Sequence, residues 1–289
     1  MKKISLAFLS IVSIFKGASA QNTNAVKVAT NVKSEKHLSS TIPLWMRTDK
    51  PRQEGMDHWK GSHAQIIASN PGLWQYRQLH LAENNTGLWP AINGVETAIP
   101  QNRKMDGVAD VTLKSFYAGL FQGKKQHKLA FADEVNFLKR SILYIAYPKN
   151  AKWYELADDT VKVEAGSIVF FRKKEGVSDK DFKKFINEEL TPTLANTGML
   201  KELRNKVYNP WKQKQWNTPN VEHDNDKTVQ FQASLMLGFS DKNEMETFFN
   251  SEEIKKLSER IAVFCSAVHA YEIAETITFV KDGKHIKFK

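Results

Sequence analysis

"LWMRTDKPRQEGMDHWKGSHAQIIASNPGL" (residues 44–73) and "VFFRKKEGVSDKDFKKFINEELTPTLANTGML" (residues 169–200) read alike. Each opens on a short β-type run ending in arginine, Arg47 or Arg172, and passes through a charged turn into a helix. Within the helices Met56 matches Phe182, Trp59 matches Phe185, His63 matches Glu189, Asn70 matches Asn196 and Gly72 matches Gly198, each pair 126 positions apart. The first two residues of each set are three apart, which puts them on one helix face. The asparagine-to-glycine stretch ends each helix, because glycine there tolerates positive φ.

The segments that follow also repeat. A β-type stretch, "LWQYRQLHL" or "LRNKVYN", leads into a long loop with tryptophans and prolines, "TGLWPAINGVETAIPQ" or "PWKQKQWNTPN". A strand ("GVADVTLKSF", "TVQFQASLMLGF"), a helix ("ADEVNFLKRS", "NEMETFFNSEEIKKLSERI") and a last strand ("ILYIAY", "HAYEIAETITFV") complete each copy. In the last strand Tyr271, Ile273, Ile277 and Phe279 alternate and are expected on one face. Each half therefore reads β–α–β–β–α–β, the ferredoxin-like order, with an antiparallel sheet covered by helices on one side. One such sheet leaves its other face bare, and two copies can close that face against each other. The fold class is α+β: tandem ferredoxin-like repeats forming an intramolecular dimeric α/β barrel. The expected repeats are residues 40–155 and 165–283, joined near "NAKWYELADDTVKVEAG".

The residues before the repeats have another character. "MKK", the apolar run "ISLAFLSIVSIF" and "ASA" before Gln21 have the layout of a secretory signal peptide, residues 1–20, and the run is too short to span a bilayer. A secreted or periplasmic product without a membrane span is expected. Residues 21–39 are polar and without period, and are expected to be flexible. The chain has 42 Lys+Arg against 32 Asp+Glu, and loss of Lys2, Lys3 and Lys16 with the signal leaves net +7. The basic residues are scattered rather than grouped into a stripe, which argues against nucleic acid as a partner. Cys265 is the one cysteine and lies among apolar residues, so disulfide scaffolds and Cys-based zinc sites are excluded.

The combination of "WKGSH", "NPGL", "YRQLH", "MDGVADVTLKSF" and "ADEVNFL" resembles the EthD-like branch of the dimeric α/β-barrel superfamily, in two tandem copies of which the second is degenerate. There Glu189 stands for His63, Lys206 falls where His80 would be, and no Asp-Gly pair precedes the third strand. The resemblance implies a barrel with a cavity or cleft between sheet and helices. Members act on aromatic or polyketide-like compounds as dehydratases, cyclases or cofactor-free oxygenases, and others bind haem.

Three histidines, His58, His63 and His80, crowd the first copy. His63 shares a helical stripe with Met56 and Trp59, while His58 falls off it and is expected at the surface. Trp74, Tyr76, Gln78 and His80 share one parity of the following strand. His63 and His80 can thus approach one pocket, where imidazole suits proton transfer. The candidate catalytic residues are His63, His80 and Asp106, the last as an orienting or accepting carboxylate. Trp59, Trp74, Tyr76 and Trp89 are candidates for binding a small apolar organic ligand. Each has a plainer alternative: core packing for the aromatics and histidines, a turn for Asp106–Gly107. No metal or cofactor is required by any motif; there is no His-Glu-x-x-His, Ser-His-Asp, phosphate loop or dinucleotide fingerprint. The expected function is action on, or binding of, a small apolar cyclic compound by cofactor-free acid–base chemistry. A non-catalytic binding barrel and a haem-dependent oxidoreductase are the alternatives. The active unit is a monomer built as a pseudo-dimer, or a homodimer. Intact mass of the exported protein checks the first expectation: a chain starting at Gln21 supports cleavage after Ala20, and retention of residues 1–20 in a soluble product contradicts it.

Overall fold

The computed structural model describes residues 31–115, 117–118, 123–157 and 161–286. The expected signal peptide lies outside the described residues. The first half contains strands β1 (Asn31–Ser34) and β2 (Leu38–Met46), then helix α1 (Arg52–His58), which runs through a π-helical turn (Trp59–His63) into α2 (Ala64–Ala68). Strands β3 (Leu73–Leu81) and β4 (Gly107–Leu113), helix α3 (Lys124–Glu134) and strands β5 (Leu138–Ser141), β6 (Tyr144–Ala146) and β7 (Ala151–Glu155) follow. The second half repeats the order: β8 (Ala165–Lys173), α4 (Asp179–Lys184), a π-helical turn (Phe185–Leu190), α5 (Thr191–Ala195), β9 (Glu202–Val207), β10 (Ala233–Phe239), α6 (Lys242–Phe249), α7 (Glu252–Phe264) and β11 (Cys265–Lys281).

Both halves have the ferredoxin-like strand order. In the first, β3, β4, β2 and β5 lie side by side; in the second, β9, β10, β8 and β11 do. All these pairings are antiparallel. The halves join edge to edge. The 17-residue β11 pairs with β8 at its start and with β3 at its end. The fourth strand of the first half makes the matching reach in pieces: β6 stays on β2, and β7 crosses to β9. Lys149, at φ 70°, turns the chain between them.

Three local expectations need correction. The stretch up to Ser39, expected to be flexible, is paired from Asn31: β1 lies on β7, and Leu38 and Ser39 already face β4. Tyr271 and Ile273 face the barrel interior, whereas Ile277 and Phe279 pack under the helices of the first half. The register shift between Ile273 and Glu275 inserts one residue and turns the strand over. Lys206 is not the counterpart of His80. His80 pairs with Gly107 on β4, and the residue that pairs with the matching Ala233 of β10 is Val207. Lys206 points instead into the barrel.

Within the barrel the ionic group around Asp110 bridges the halves. Asp110 Oδ2 accepts from Arg77 at 2.7 Å and Arg204 at 2.7 Å, and Oδ1 accepts from Lys206 at 2.5 Å. Lys206 also donates to the Ser40 carbonyl at 2.8 Å. Burial opposes the charged carboxylate, but the cations outweigh it and hold Asp110 well below the usual carboxylate range. Arg204 stacks on the Trp153 ring.

The long loops are exchanged between the halves. Leu88, Trp89, Ile92 and Val95 of the first loop join the core of the second half, where Trp89 packs against Phe171 and Phe249. Val221 of the second loop joins the core of the first. Glu96 bridges to Ala267 on β11, and its counterpart 126 positions on, Glu222, bridges to Arg140 on β5.

Asp110→Asn should therefore deprive Arg77, Arg204 and Lys206 of their shared carboxylate and lower unfolding free energy by about 3–5 kcal/mol. Lys33→Ala, which breaks an exposed pair with Glu155, should cost less than about 1 kcal/mol. Denaturant titrations of the two variants against the parent check the contrast.

Candidate active site

The first half holds a cavity of about 190 Å³ between its sheet and its helices. Ile42 and Leu44 of β2, Ala109 and Val111 of β4, Tyr76 of β3 and Trp59, His63 and Ile67 of the first helix line it; α3 contributes His127 and Glu134. Gln215 and Trp216, from the second half's loop, form part of its wall.

The second half shows why the cavity exists only once among the described residues. Strand pairing aligns Leu44 with Phe171, Ala109 with Leu235 and Leu113 with Phe239. Each exchange is to a larger side chain, and all three of the larger ones are fully buried. The same fold is thus filled in one half and hollow in the other.

The sequence positions the site locally. Pro51 precedes α1, whose start Asp106 holds: its Oδ1 accepts from Arg52 Nε at 2.6 Å and its Oδ2 from the Met46 amide at 2.8 Å. Gly107 is required beside it, because a Cβ there would come within 2.3 Å of the Trp59 ring. Trp59 lies over this glycine and stacks on His80 at 4.7 Å. Gly72 is needed for a similar reason rather than for positive φ, since a Cβ would meet the Ala118 carbonyl at 2.8 Å. Gly198, its counterpart, does have φ +75°.

His63 closes the π-helical turn, a feature that recurs at functional sites. Its Nδ1 lies 2.9 Å from Asp133 Oδ2, and the other oxygen, Oδ1, lies 2.9 Å from His58 Nε2. Burial lowers the pKa of His63 against the opposing pull of Asp133, so the ring is neutral at pH 7. Burial works against charge on Asp133 too, but hydrogen bonds from His63 and His58 outweigh it and bring the carboxyl to about 2. An ionised Asp133 fixes the proton of His63 on Nδ1 and leaves the Nε2 lone pair available. His58, expected at the surface, is half-buried, shares this carboxylate and stacks on Phe137 at 5.0 Å.

Glu134 is the residue that sequence reasoning missed. It is 4% exposed, and its Oε2 accepts from Thr218 Oγ1 and, at 3.3 Å, from Trp216 Nε1. Burial raises its pKa to about 7 despite these hydrogen bonds, and the neighbouring Asp133 adds to the rise. In the second half Ile261 holds the corresponding place, 127 positions on, in the buried stripe of α7; the spacing of 126 read from the sequence sets Arg260 there and hides the contrast. A carboxylate at an apolar repeat position is the mark of a site.

Of the sequence-derived candidates, His63, Trp59 and Tyr76 line the cavity. His80 stands behind Trp59: its Nε2 donates to Gln78 Oε1 at 2.9 Å, and Gln78 Nε2 donates to the Trp59 carbonyl and the Tyr76 hydroxyl. Burial lowers the pKa of His80 to about 4. Asp106 meets Arg52 rather than a histidine. Trp74 stacks on His37, and Trp89 lies in the other half's core. Glu189, in the place of His63, pairs at the surface with Arg260, the counterpart of Asp133.

No family model matches the chain, and no curated protein does. Among solved structures, an anthrone oxidase-like protein aligns over 86% of this chain and 96% of its own, at 9% identity and a TM-score of 0.53. A candidate monooxygenase from Fusobacterium nucleatum aligns over 88% and 99%, at 10% identity and a TM-score of 0.53. At these identities the likeness is one of fold, that of the dimeric α/β barrels.

The raised pKa of Glu134 has a definite sign for stability. The folded chain holds this proton up to about pH 7, while the unfolded chain releases it near 4.5. Its stabilising effect is complete below the unfolded value and is lost as pH rises through about 7. Glu134→Gln should remove a pH-dependent component on the order of 3 kcal/mol between pH 5 and 8. Melting temperatures of variant and parent over that range test it; parallel curves would contradict the assignment.

Proposed function

We propose that the first half is an acid–base site for a small, compact, mainly apolar molecule carrying oxygen, in an exported protein. One observation carries this reading: a neutral imidazole held by an ionised carboxylate and a carboxyl that keeps its proton near pH 7 line the same apolar cavity. Two titratable groups whose surroundings push their pKa values apart are suited to paired acid and base roles.

The chemistry follows from the proton positions. His63 Nε2 takes a proton from a carbon or hydroxyl of the ligand, and Asp133 stabilises the resulting imidazolium. Glu134 gives its proton to a ligand oxygen. In an elimination, the bond from carbon to a hydroxyl breaks, the Glu134 proton leaves with that hydroxyl as water, and the electrons of the broken C–H bond form the double bond. In a cyclisation the same pair removes one proton from the attacking carbon and delivers one to the accepting carbonyl oxygen. Proton exchange with solvent returns both residues to their starting states. Trp59 and Tyr76 supply flat apolar walls suited to a ring. The EthD-like resemblance of the sequence agrees with this reading.

A haem does not fit these residues. The cavity of about 190 Å³ falls below the roughly 300–1,000 Å³ of sites for drug-sized ligands, and a haem is larger than most of these. The apolar cavity by itself also suits a protein that binds a ligand without converting it, and turnover decides between the two.

Calorimetry with 1-naphthol, a two-ring phenol, tests the site directly. Saturable binding is expected, and Ala109→Leu, which installs the side chain found at Leu235, should weaken it roughly tenfold or more, about 1.4 kcal/mol, without lowering the melting temperature. Absence of saturable binding to the parent protein would end the ligand-site reading. Once a turned-over compound is found, His63→Gln should cost about 10²–10⁴-fold in rate with the fold retained.

A further inference from the structure

We propose that Trp216, supplied by the second half, sets the upper size of ligand that the first half accepts. This rests on the reading of the first-half cavity as a ligand site.

Trp216 differs from the other walls of the cavity in origin and in support. It follows a short 3₁₀ turn, Gln213–Gln215, whose residues are exposed, and is itself only half-buried. Its ring stands edge-on against Phe131 at 4.7 Å and His127 at 5.7 Å, both on α3, and its Nε1 donates to Glu134. The chain immediately after it is anchored to the first half independently of the indole. Thr218 donates to Glu134, Val221 lies in the first-half core, and the His223 ring sits between the carbonyls of Ser141 and Thr218. Removing the indole therefore opens the cavity while the loop stays in place.

The exchanged loop of the first half supplies the contrast. Trp89 is the tryptophan of that loop, but it is 3% exposed and packs directly against Phe171 and Phe249. Trp89 is a plug in a filled half, and Trp216 is a wall over a hollow one. The smaller residues under Trp216, Leu44 and Ala109, make the difference.

Binding of phenol, 1-naphthol and 9-phenanthrol, of one, two and three rings, measured by calorimetry on the mature chain, tests the proposal. The parent protein should bind the smaller phenols and discriminate against 9-phenanthrol. Trp216→Ala should improve the affinity for 9-phenanthrol by about tenfold or more, and Trp216→Phe should retain the limit. Trp216→Leu serves as a second opened variant if the alanine protein does not fold. Trp89→Ala should lower the melting temperature and leave the size limit unchanged. A parent protein that binds none of the three overturns the ligand-site reading itself. A parent protein with a size limit that survives in both opened variants overturns the role of Trp216 alone.

Discussion

The Asp110 carboxylate inside the barrel is the contact on which the arrangement of the two halves depends. One carboxylate cannot leave water without partners, and three buried cations cannot either. Arg77 and Asp110 come from the first half, and Arg204, Lys206 and Glu202, whose carboxylate lies 3.7 Å from Arg77, from the second, so these charges meet only when β9 stands at one register across from β2 and β4. The additional bond from Lys206 to the Ser40 carbonyl would fail after a slip of one residue, because every side chain of β9 would change face. Apolar contacts between two sheets tolerate sliding; this cluster does not. With the barrel face fixed in this way, the helices are confined to the outside, and the long loops at the seams fall within reach of the opposite half.

Loop exchange turns a duplicated sheet into two unlike halves. The loops occupy equivalent places, as the Glu96–Ala267 and Glu222–Arg140 bridges show. What each loop meets depends on the strands below it. Phe171, Leu235 and Phe239 leave Trp89 no space, whereas Leu44, Ala109 and Leu113 leave a void under Trp216. A void lined by apolar side chains lacks dispersion contacts and lowers stability in proportion to its size. Retention of about 190 Å³ of such space in one half, when the other half shows that the fold can be filled, argues that the space is used.

The sequence made the duplication, the strand order and the inward position of His63 legible, because a spacing of 126 and helical periodicity depend on nothing outside each repeat. What it hid depends on contacts distant along the chain. Asp133 and Glu134 lie in a stretch that reads as an ordinary polar helix end, and only their meeting with His63 and with Thr218 gives them meaning. A spacing of 126 sets Lys206 against His80, one residue off, because strand pairing, not helix spacing, decides which residue answers His80. The face reversal in β11 arises from one inserted residue, which alternation cannot register. Asp106 reads from the sequence as a carboxylate able to orient a histidine or accept a proton; the pairing with Arg52 and the seat of Trp59 on Gly107 give the Asp-Gly pair a structural cause.

The comparison of Glu134 with Ile261 carries the functional argument furthest. Both sit in the buried stripe of the second helix of their half, and the isoleucine there is fully buried. A carboxyl in the same place must stay protonated or bear the cost of losing water, and its hydrogen bonds from Thr218 and Trp216 offset only part of that cost. Selection for stability alone would favour the aliphatic residue in both halves. The first half instead combines an unfavourable acid, an unfilled volume and an imidazole whose tautomer is fixed by Asp133, all at one place. Departures from the locally most stable choice are expected to gather at functional sites, and among the described residues these three meet in the half that kept its cavity.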